Sequence, residues 1–531
     1  MEETNTIEIS FTKRLRTAFA ELPRIEREWV TPLDPASYGT ARFLLLRGLG
    51  LIYLVAFYAL NQQLYGLISS EGLLPAGVFL EKARLYFGED ATPWLRLPTL
   101  FWFGASDAVL YLTSYIGLAL SLSLLLGYAH ALQLFVLWVI YLSFNGIGQV
   151  FYGYIWEILL LEAGFLAIFL APFGRGPTPP PTAVLWLYRW LLFRVLFGAG
   201  LIKLRGDACW WDLTCMEYHY QTQPLPHMLS WYWHQLPPLA HKASVLATHI
   251  VELVVPFFLF ATRRLRHTAA LIQLVFQLFL ILSGNLSWLN YLTLILCLAC
   301  FDDDFLRRLF PRQLQRYADA GLSAERGSGA RLAIYALCIA VFYLSSHPIE
   351  NMISPKQVMN RSFDPLRLVN SYGAFGHIGK KRYEIVFEGT DDVTLGPDAV
   401  WHAYELPAKP GDVNRRPPWV APYHYRLDWQ LWFAAMSDYE KNPWLVHLCY
   451  KILRGQPSAL SLLAHNPFPD KPPSYLRAEL YEYEFTHDRR EHGAWWKRTR
   501  LGTYLGPLAA DDPKLTEFVR HYGWKVIPTH R

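Results

Sequence analysis

Charge is what this 531-residue chain has least of: lysine, arginine, aspartate and glutamate make up 18% of it, against roughly a quarter in soluble globular domains. With 53% hydrophobic residues gathered in long runs, one ordinary soluble domain is excluded. The net charge of +5 is modest, and its cations sit in short patches between apolar runs. That pattern speaks for membrane orientation and against a nucleic-acid partner. The opening MEETNTIEISFTKRLRTAF is polar and amphipathic with no early apolar core, so no cleaved signal peptide is expected. There is no convincing internal repeat and no low-complexity tract beyond GPTPPPT. Also missing are a phosphate-cradling glycine loop, a Gly-x-Ser-x-Gly elbow, a His-Glu-x-x-His pair and any Cys/His spacing that resembles a zinc site. No cofactor or metal is expected.

What is present is a series of apolar segments near the 20 residues that a membrane span needs. Eight or nine are expected, near 43–68, 106–127, 131–151, 155–174, 183–204, 243–262, 268–285, 286–301 and 331–347. The fold class is therefore a polytopic α-helical membrane protein, followed by a soluble C-terminal domain. Three parts are expected: an N-terminal segment at 1–40, a multi-pass domain at 41–347 with a loop at 205–242, and a soluble domain at 348–531. Lys13, Arg14, Arg16, Arg24 and Arg27 precede the first span. With nine spans, the same side also holds Arg175, then Arg263, Arg264 and Arg266, then Arg307, Arg308, Arg312 and Arg316. By the positive-inside rule the N-terminus is cytoplasmic, and the 205–242 loop and C-terminal domain face a lumen or periplasm. In that domain RYEIVFEGT and ELYEYEFT alternate like half-buried strands, and LDWQLWFAAMSDYEKNPWLVHLCYKIL between them has helical spacing. A β-rich α+β domain is expected.

Ionisable residues inside spans are costly, so they face a partner or a cavity. Glu157 and Glu162 fall in the fourth span, Arg194 and Lys203 in the fifth, and His249 and Glu252 in the sixth. Counted from the outer ends, Glu157 and Lys203 lie near the surface, and Glu162, Arg194, His249 and Glu252 about 10–15 Å deeper. Two readings follow: a polar cavity able to bind or to move protons, or interhelical ion pairs with Lys203 reaching back to the interface. Cys209 and Cys215 bracket a tryptophan pair in the outward loop, as a disulfide or as two free thiols. Cys297 and Cys300 have redox spacing, but inside an apolar helix they read as packing. Asn360 begins an Asn-Arg-Ser glycosylation sequon on the outward side, while Asn285 of Asn-Leu-Ser lies too near the membrane.

FGAGLIKLRGDACWWDLTCMEYHYQTQPLP (197–226) strongly resembles the lipase maturation factors. The likeness continues through HIVELVVPFFLF (249–260), LSGNLSWLNYLT (282–293), QVMNRSFDPLRLVNSYGAFG (357–376) and RRPPWVAPYHYRLDWQLWFAAM (415–436). It ends in YEYEFTHDRREHGAWWKRTRLGTYLGPL (481–508). The resemblance implies a multi-pass protein of the endoplasmic reticulum membrane whose C-terminal domain helps secreted lipases fold and assemble. In a bacterial member the inner membrane would take that place. The partners implied are the lipid bilayer and a secreted client, a lipase or another exported protein. The carried-over candidates are the Cys209/Cys215 pair and Lys203. In the 415–436 block, Arg426, Asp428, Trp429 and Trp432 are read as a helix core or a partner surface. The membrane region is also loosely similar to vitamin K-dependent carboxylase-like proteins through AGLIKL (199–204), which implies an alternative enzyme using the intramembrane charges. A transporter is disfavoured, because no repeated half carries matching interrupted helices.

Overall fold

Apolar runs become helices in lipid because every backbone N–H and C=O has to be satisfied within the segment. The computed structural model describes residues 38–88, 91–173, 178–310, 327–392, 394–488 and 493–528. The cations Lys13, Arg14, Arg16, Arg24, Arg27, Arg175, Arg312 and Arg316, used above to orient the chain, lie outside these residues. In chain order the first helices are α1 (Gly39–Leu67), α2 (Ala76–Phe87), α3 (Asp107–Leu126), α4 (Ala131–Ile147), α5 (Ile155–Leu170) and α6 (Thr182–Arg205). They are followed by α7 (Met216–Thr222), α8 (Pro238–Phe260), α9 (Arg263–Ile281), α10 (Leu289–Cys300) and α11 (Ser328–Ile353).

Every expected apolar segment centres on one of these helices. Among the described residues, five of them, α1, α3, α6, α8 and α11, are long and apolar enough to cross a membrane, rather than eight or nine. The shorter α5 is buried along almost its whole length. A helix sheathed by protein need not match the thickness of the lipid. Small residues let the helices approach closely. A Cβ on Gly50 of α1 would sit 2.7 Å from the Leu125 backbone nitrogen of α3, and one on Gly117 would sit 2.5 Å from the Phe57 ring.

The α8 helix is irregular at its centre. Ile250–Val254 forms a π turn and Val255–Phe260 a 3-10 turn. Pro256 has no N–H to give the carbonyl of Glu252 four residues earlier, so the regular ladder fails there. Glu252 is thus carried on the widened turn.

Beyond α11 the chain forms a four-stranded antiparallel sheet in the order β2-β1-β3-β4. Its strands are β1 (Arg382–Thr390), β2 (His402–Ala403), β3 (Tyr475–Phe485) and β4 (Trp496–Ala509). Ile385 lies opposite Leu480, and Phe387 opposite Ala478. The expected polar face of β1 is not solvated, since Glu384 and Glu388 are buried, whereas that of β3 is, with Glu482 half-buried and Glu484 exposed; Glu479, on the aromatic face of β3, is fully buried. Arg382 and Lys409 pair with Glu384, and Arg477 and Arg500 pair with Glu479, so the carboxylates enter the core already neutralised. The single helical stretch expected before β3 is two helices, α12 (Arg426–Ala434) and α13 (Pro443–Ile452), the second opened by Pro443. A final helix, α14 (Pro513–His521), follows the sheet. The apolar core runs on across residue 348: Leu60, Leu159 and Trp288 share one cluster with Val369, Leu427 and Leu448.

Candidate functional site

The six ionisable residues singled out inside the spans do not form one cluster. They divide among three buried ion pairs, with His249 apart.

Lys203, near the end of α6, points its ammonium at the widened turn of α8. Its Nζ lies 2.8 Å and 2.6 Å from the two Glu252 carboxylate oxygens and donates to the Ala199 carbonyl at 3.3 Å. Both side chains are buried. The ring of Trp210 stands 5.4 Å from Nζ. Trp210 belongs to the turn closed by a Cys209–Cys215 disulfide, whose Cα atoms are 4.8 Å apart. Its indole N–H donates to the Phe375 carbonyl at 3.0 Å. His249 reaches the Trp210 carbonyl at 3.0 Å, so it braces the disulfide turn and makes no ion pair.

A cavity of about 70 Å³ opens beside this pair, lined by Lys203, Glu252, Trp210, His219, Gln277 and Asn290 among more numerous apolar side chains. Asn290 Nδ2 donates to Gln277 Oε1 at 2.7 Å. His219 on α7 is held neutral: burial, and then the charge of Lys203, bring its pKa down to about 4. A space of that size has room for a few waters or one small polar group.

The second pair joins α5 to α6. Arg194 grips Glu162 through both guanidinium nitrogens. The remaining valences are taken by the segment that follows α11. Glu162 Oε2 accepts the Asn370 backbone N–H at 3.0 Å, Asn370 Nδ2 at 3.0 Å and the Tyr372 hydroxyl at 2.7 Å. Arg194 Nη1 donates to the Asn370 carbonyl at 2.6 Å.

The third pair joins α5 to the C-terminal half. Glu157 Oε1 lies 2.6 Å from Arg426 Nη1 of α12, and its other oxygen accepts the Tyr141 hydroxyl. Arg426 also donates to the Phe151 carbonyl at 2.8 Å, and its guanidinium carbon stands 3.6 Å from the centre of the Tyr152 ring. Sequence separation hid this partner, since the two residues are 269 positions apart.

Of the 415–436 block, the singled-out residues lie largely in the core, while Trp419, Phe433 and Met436 stay exposed. Arg426, Asp428 and Trp429 are buried, and half-buried Trp432 donates its indole N–H to the Thr222 carbonyl of α7. Asp428 Oδ1 accepts the backbone N–H groups of Ala408 at 2.6 Å and Lys409 at 2.9 Å. Burial outweighs these bonds and raises its pKa to about 6. The helix packs against the membrane helices through Arg426 and against the sheet side through Asp428, and leaves Phe433 exposed.

Asn360 is half-buried, and its side-chain oxygen accepts the Gly373 N–H at 3.1 Å. Cys297 and Cys300 are buried, free thiols. Asn285 was missed as a structural residue. Its amide donates to the Pro226 and Pro418 carbonyls and accepts from Val420 and Ala421, so it joins the 205–242 loop to the C-terminal half. The signal was a lone amide in an apolar stretch. Arg382 was missed too; it donates to the Gln221, Gln223 and Pro224 carbonyls of the same loop. Among the described residues no group of histidine, cysteine and carboxylate side chains could hold a metal ion.

Comparison with known proteins agrees along the length of the chain. Residues 40–308 match the model of the lipase maturation factor transmembrane domain, and residues 368–506 that of the lipase maturation factor C-terminal domain. Lipase maturation factor 1 of Mus musculus is 42% identical, over 93% of this chain and 91% of its own. Lipase maturation factor 1 of Homo sapiens is 43% identical, over 93% and 92%. Lipase maturation factor 2 of Xenopus laevis is 31% identical, over 92% and 85%. No solved structure matches. Both halves match in order, and relatives above 40% identity are covered almost end to end; this chain belongs to the lipase maturation factor family.

Proposed function

We propose that the protein is a membrane-embedded folding and assembly factor that assists the maturation of secreted lipases, or of other exported proteins, through its C-terminal half. The relatives at 42% and 43% identity are named for lipase maturation. The observation that carries the reading is the fate of the intramembrane charges: Glu157, Glu162 and Glu252 are each committed to a cation, and two of the three pairs also engage the region after α11. Groups so bound build a rigid platform, and none of these three carboxylates is free to act as an acid or base. Nothing favours the carboxylase-like alternative.

The setting we propose is the endoplasmic reticulum membrane, or a bacterial inner membrane. The 1–40 segment is cytoplasmic, 41–347 is the membrane domain, and the 205–242 loop and 348–531 lie on the lumenal or periplasmic side. The Cys209–Cys215 disulfide supports an oxidising compartment for that side, and Asn360 is the proposed glycan acceptor. Coexpression of the full chain with a secreted lipase tests the function. The specific activity of the secreted lipase should rise, and the lipase should crosslink to the C-terminal half. Unchanged specific activity overturns the proposal.

A further inference from the structure

The loop between α1 and α3 carries an apolar surface for which the bundle offers no protein partner. It holds α2, a short helix at Thr92–Arg96 and a 3-10 turn at Leu100–Phe103. Leu85 and Tyr86 are 81% and 84% exposed, Leu95 71%, Phe103 82%, and Trp94 and Leu100 about half as much. So dense an exposed patch marks an interaction site.

Its depth identifies the occupant. The Leu100 N–H donates to Ser143 Oγ at 2.9 Å, and Thr99 Oγ1 donates to the Ser143 carbonyl at 3.3 Å. Ser143 lies four residues before the end of α4 at Ile147. The turn is therefore held about 6 Å inside the helix end, at 1.5 Å per residue. Trp94 packs on Phe103, ring centres 4.9 Å apart, and Trp102 ties the turn to the Leu97 carbonyl. Four residues after Phe103, α3 begins, and its outward Leu112, Tyr115 and Ile116 are exposed as lipid-facing residues are. By sequence the loop carries Lys82, Arg84 and Arg96 against Glu71, Glu81, Glu89 and Asp90, so its affinity for lipid rests on the apolar side chains, with Arg84 and Arg96 beside them long enough to reach lipid phosphates.

We propose that Leu85, Tyr86, Trp94, Leu95, Leu100 and Phe103 insert into the bilayer leaflet on the side of the C-terminal half, with Arg84 and Arg96 at the phosphate level. The loop is then a second, non-spanning membrane anchor. It also holds the chain's last part: Lys82 Nζ donates to the Tyr522 carbonyl at 2.9 Å, and Lys525 pairs with Glu71 at 2.5 Å. Through these contacts the inserted loop keeps the end of the C-terminal half against the bilayer surface.

The test uses the full chain in phosphatidylcholine nanodiscs with Cys338→Ala, which removes the one free thiol that is not fully buried. Nitroxide labels are placed singly at Leu95→Cys and Phe103→Cys, with Leu112→Cys as lipid control and Asp398→Cys as water control. Collision rates with oxygen, which partitions into lipid, and with a water-soluble nickel chelate are then compared. Labels at 95 and 103 should follow the lipid control, relaxed by oxygen and shielded from nickel. Labels that follow the water control would overturn the proposal and make the patch a docking face for protein. If Phe103→Cys fails to fold, position 95 decides the question alone.

Discussion

Single residues determine whether the charges inside this membrane protein are an asset or a hazard. Arg426 and Glu157 are each fully buried and satisfy one another. Glu157→Gln or Arg426→Met leaves its partner charged and unpaired, at a cost of about 3–5 kcal/mol, whereas the double variant Glu157→Leu/Arg426→Leu should regain most of that loss. Thermal unfolding of the detergent-solubilised chain checks this; a double variant no better than the singles would show that the hydrogen bonds outweigh the charges. Asp428 gives a pH test. Its folded pKa of about 6 lies above the usual 3.8 of an aspartate, so the folded state holds its proton more tightly than the unfolded state. The stabilisation from that bound proton is complete below pH 4 and is lost as pH rises to 6. Asp428→Asn keeps the acceptor oxygen for Ala408 and Lys409 and should flatten that stretch of the stability profile.

At the scale of elements, the disulfide turn between α6 and α7 is a lid over the Lys203–Glu252 pair and the cavity beside it. Closing so short a loop stabilises by about 2 kcal/mol in the chain-entropy model. Cys209→Ala/Cys215→Ala should lower the melting temperature by a few degrees on that scale, and increase hydrogen exchange at Trp210 and His219; unchanged exchange there would show that the Trp210–Phe375 and His249–Trp210 hydrogen bonds hold the lid without it. The turn's position was legible from sequence, since an apolar run ending in Lys203 and two nearby cysteines suffice to place it. The Glu252 partner was not, because the helical template does not anticipate the π turn that Pro256 imposes on α8.

For the whole molecule, the membrane bundle and the C-terminal half are stitched into one core. Glu157 and Glu162 lie in α5, yet their bonds run to Arg426, Asn370 and Tyr372. A chain ending at residue 347 would leave Glu157 without its cation and Glu162 without its cap. It should fail to give a monodisperse peak in detergent, and coexpression of residues 348–531 as a separate chain should restore part of the yield. A stable, well-folded 1–347 fragment would show that the halves fold independently. The strands β1 and β3 were visible as alternating segments, but the burial of Glu384 and Glu479 was not. A glutamate reads as solvent-facing until its cation, Lys409 or Arg500, is brought beside it.

The sequence by itself determined the class of this protein. Low charge and long apolar runs admit few solutions besides helices in a membrane, and their order along the chain carries the family likeness. Only the tertiary structure decided which charge meets which. Ion pairs between residues 49 and 269 positions apart are products of packing. Local spacing records where a charge sits on its own helix and nothing of what faces it. The same limit explains why the 426–432 residues read equally as core and as surface: an amphipathic helix states that it has two faces, and only the fold shows that Arg426, Asp428 and Trp429 are covered.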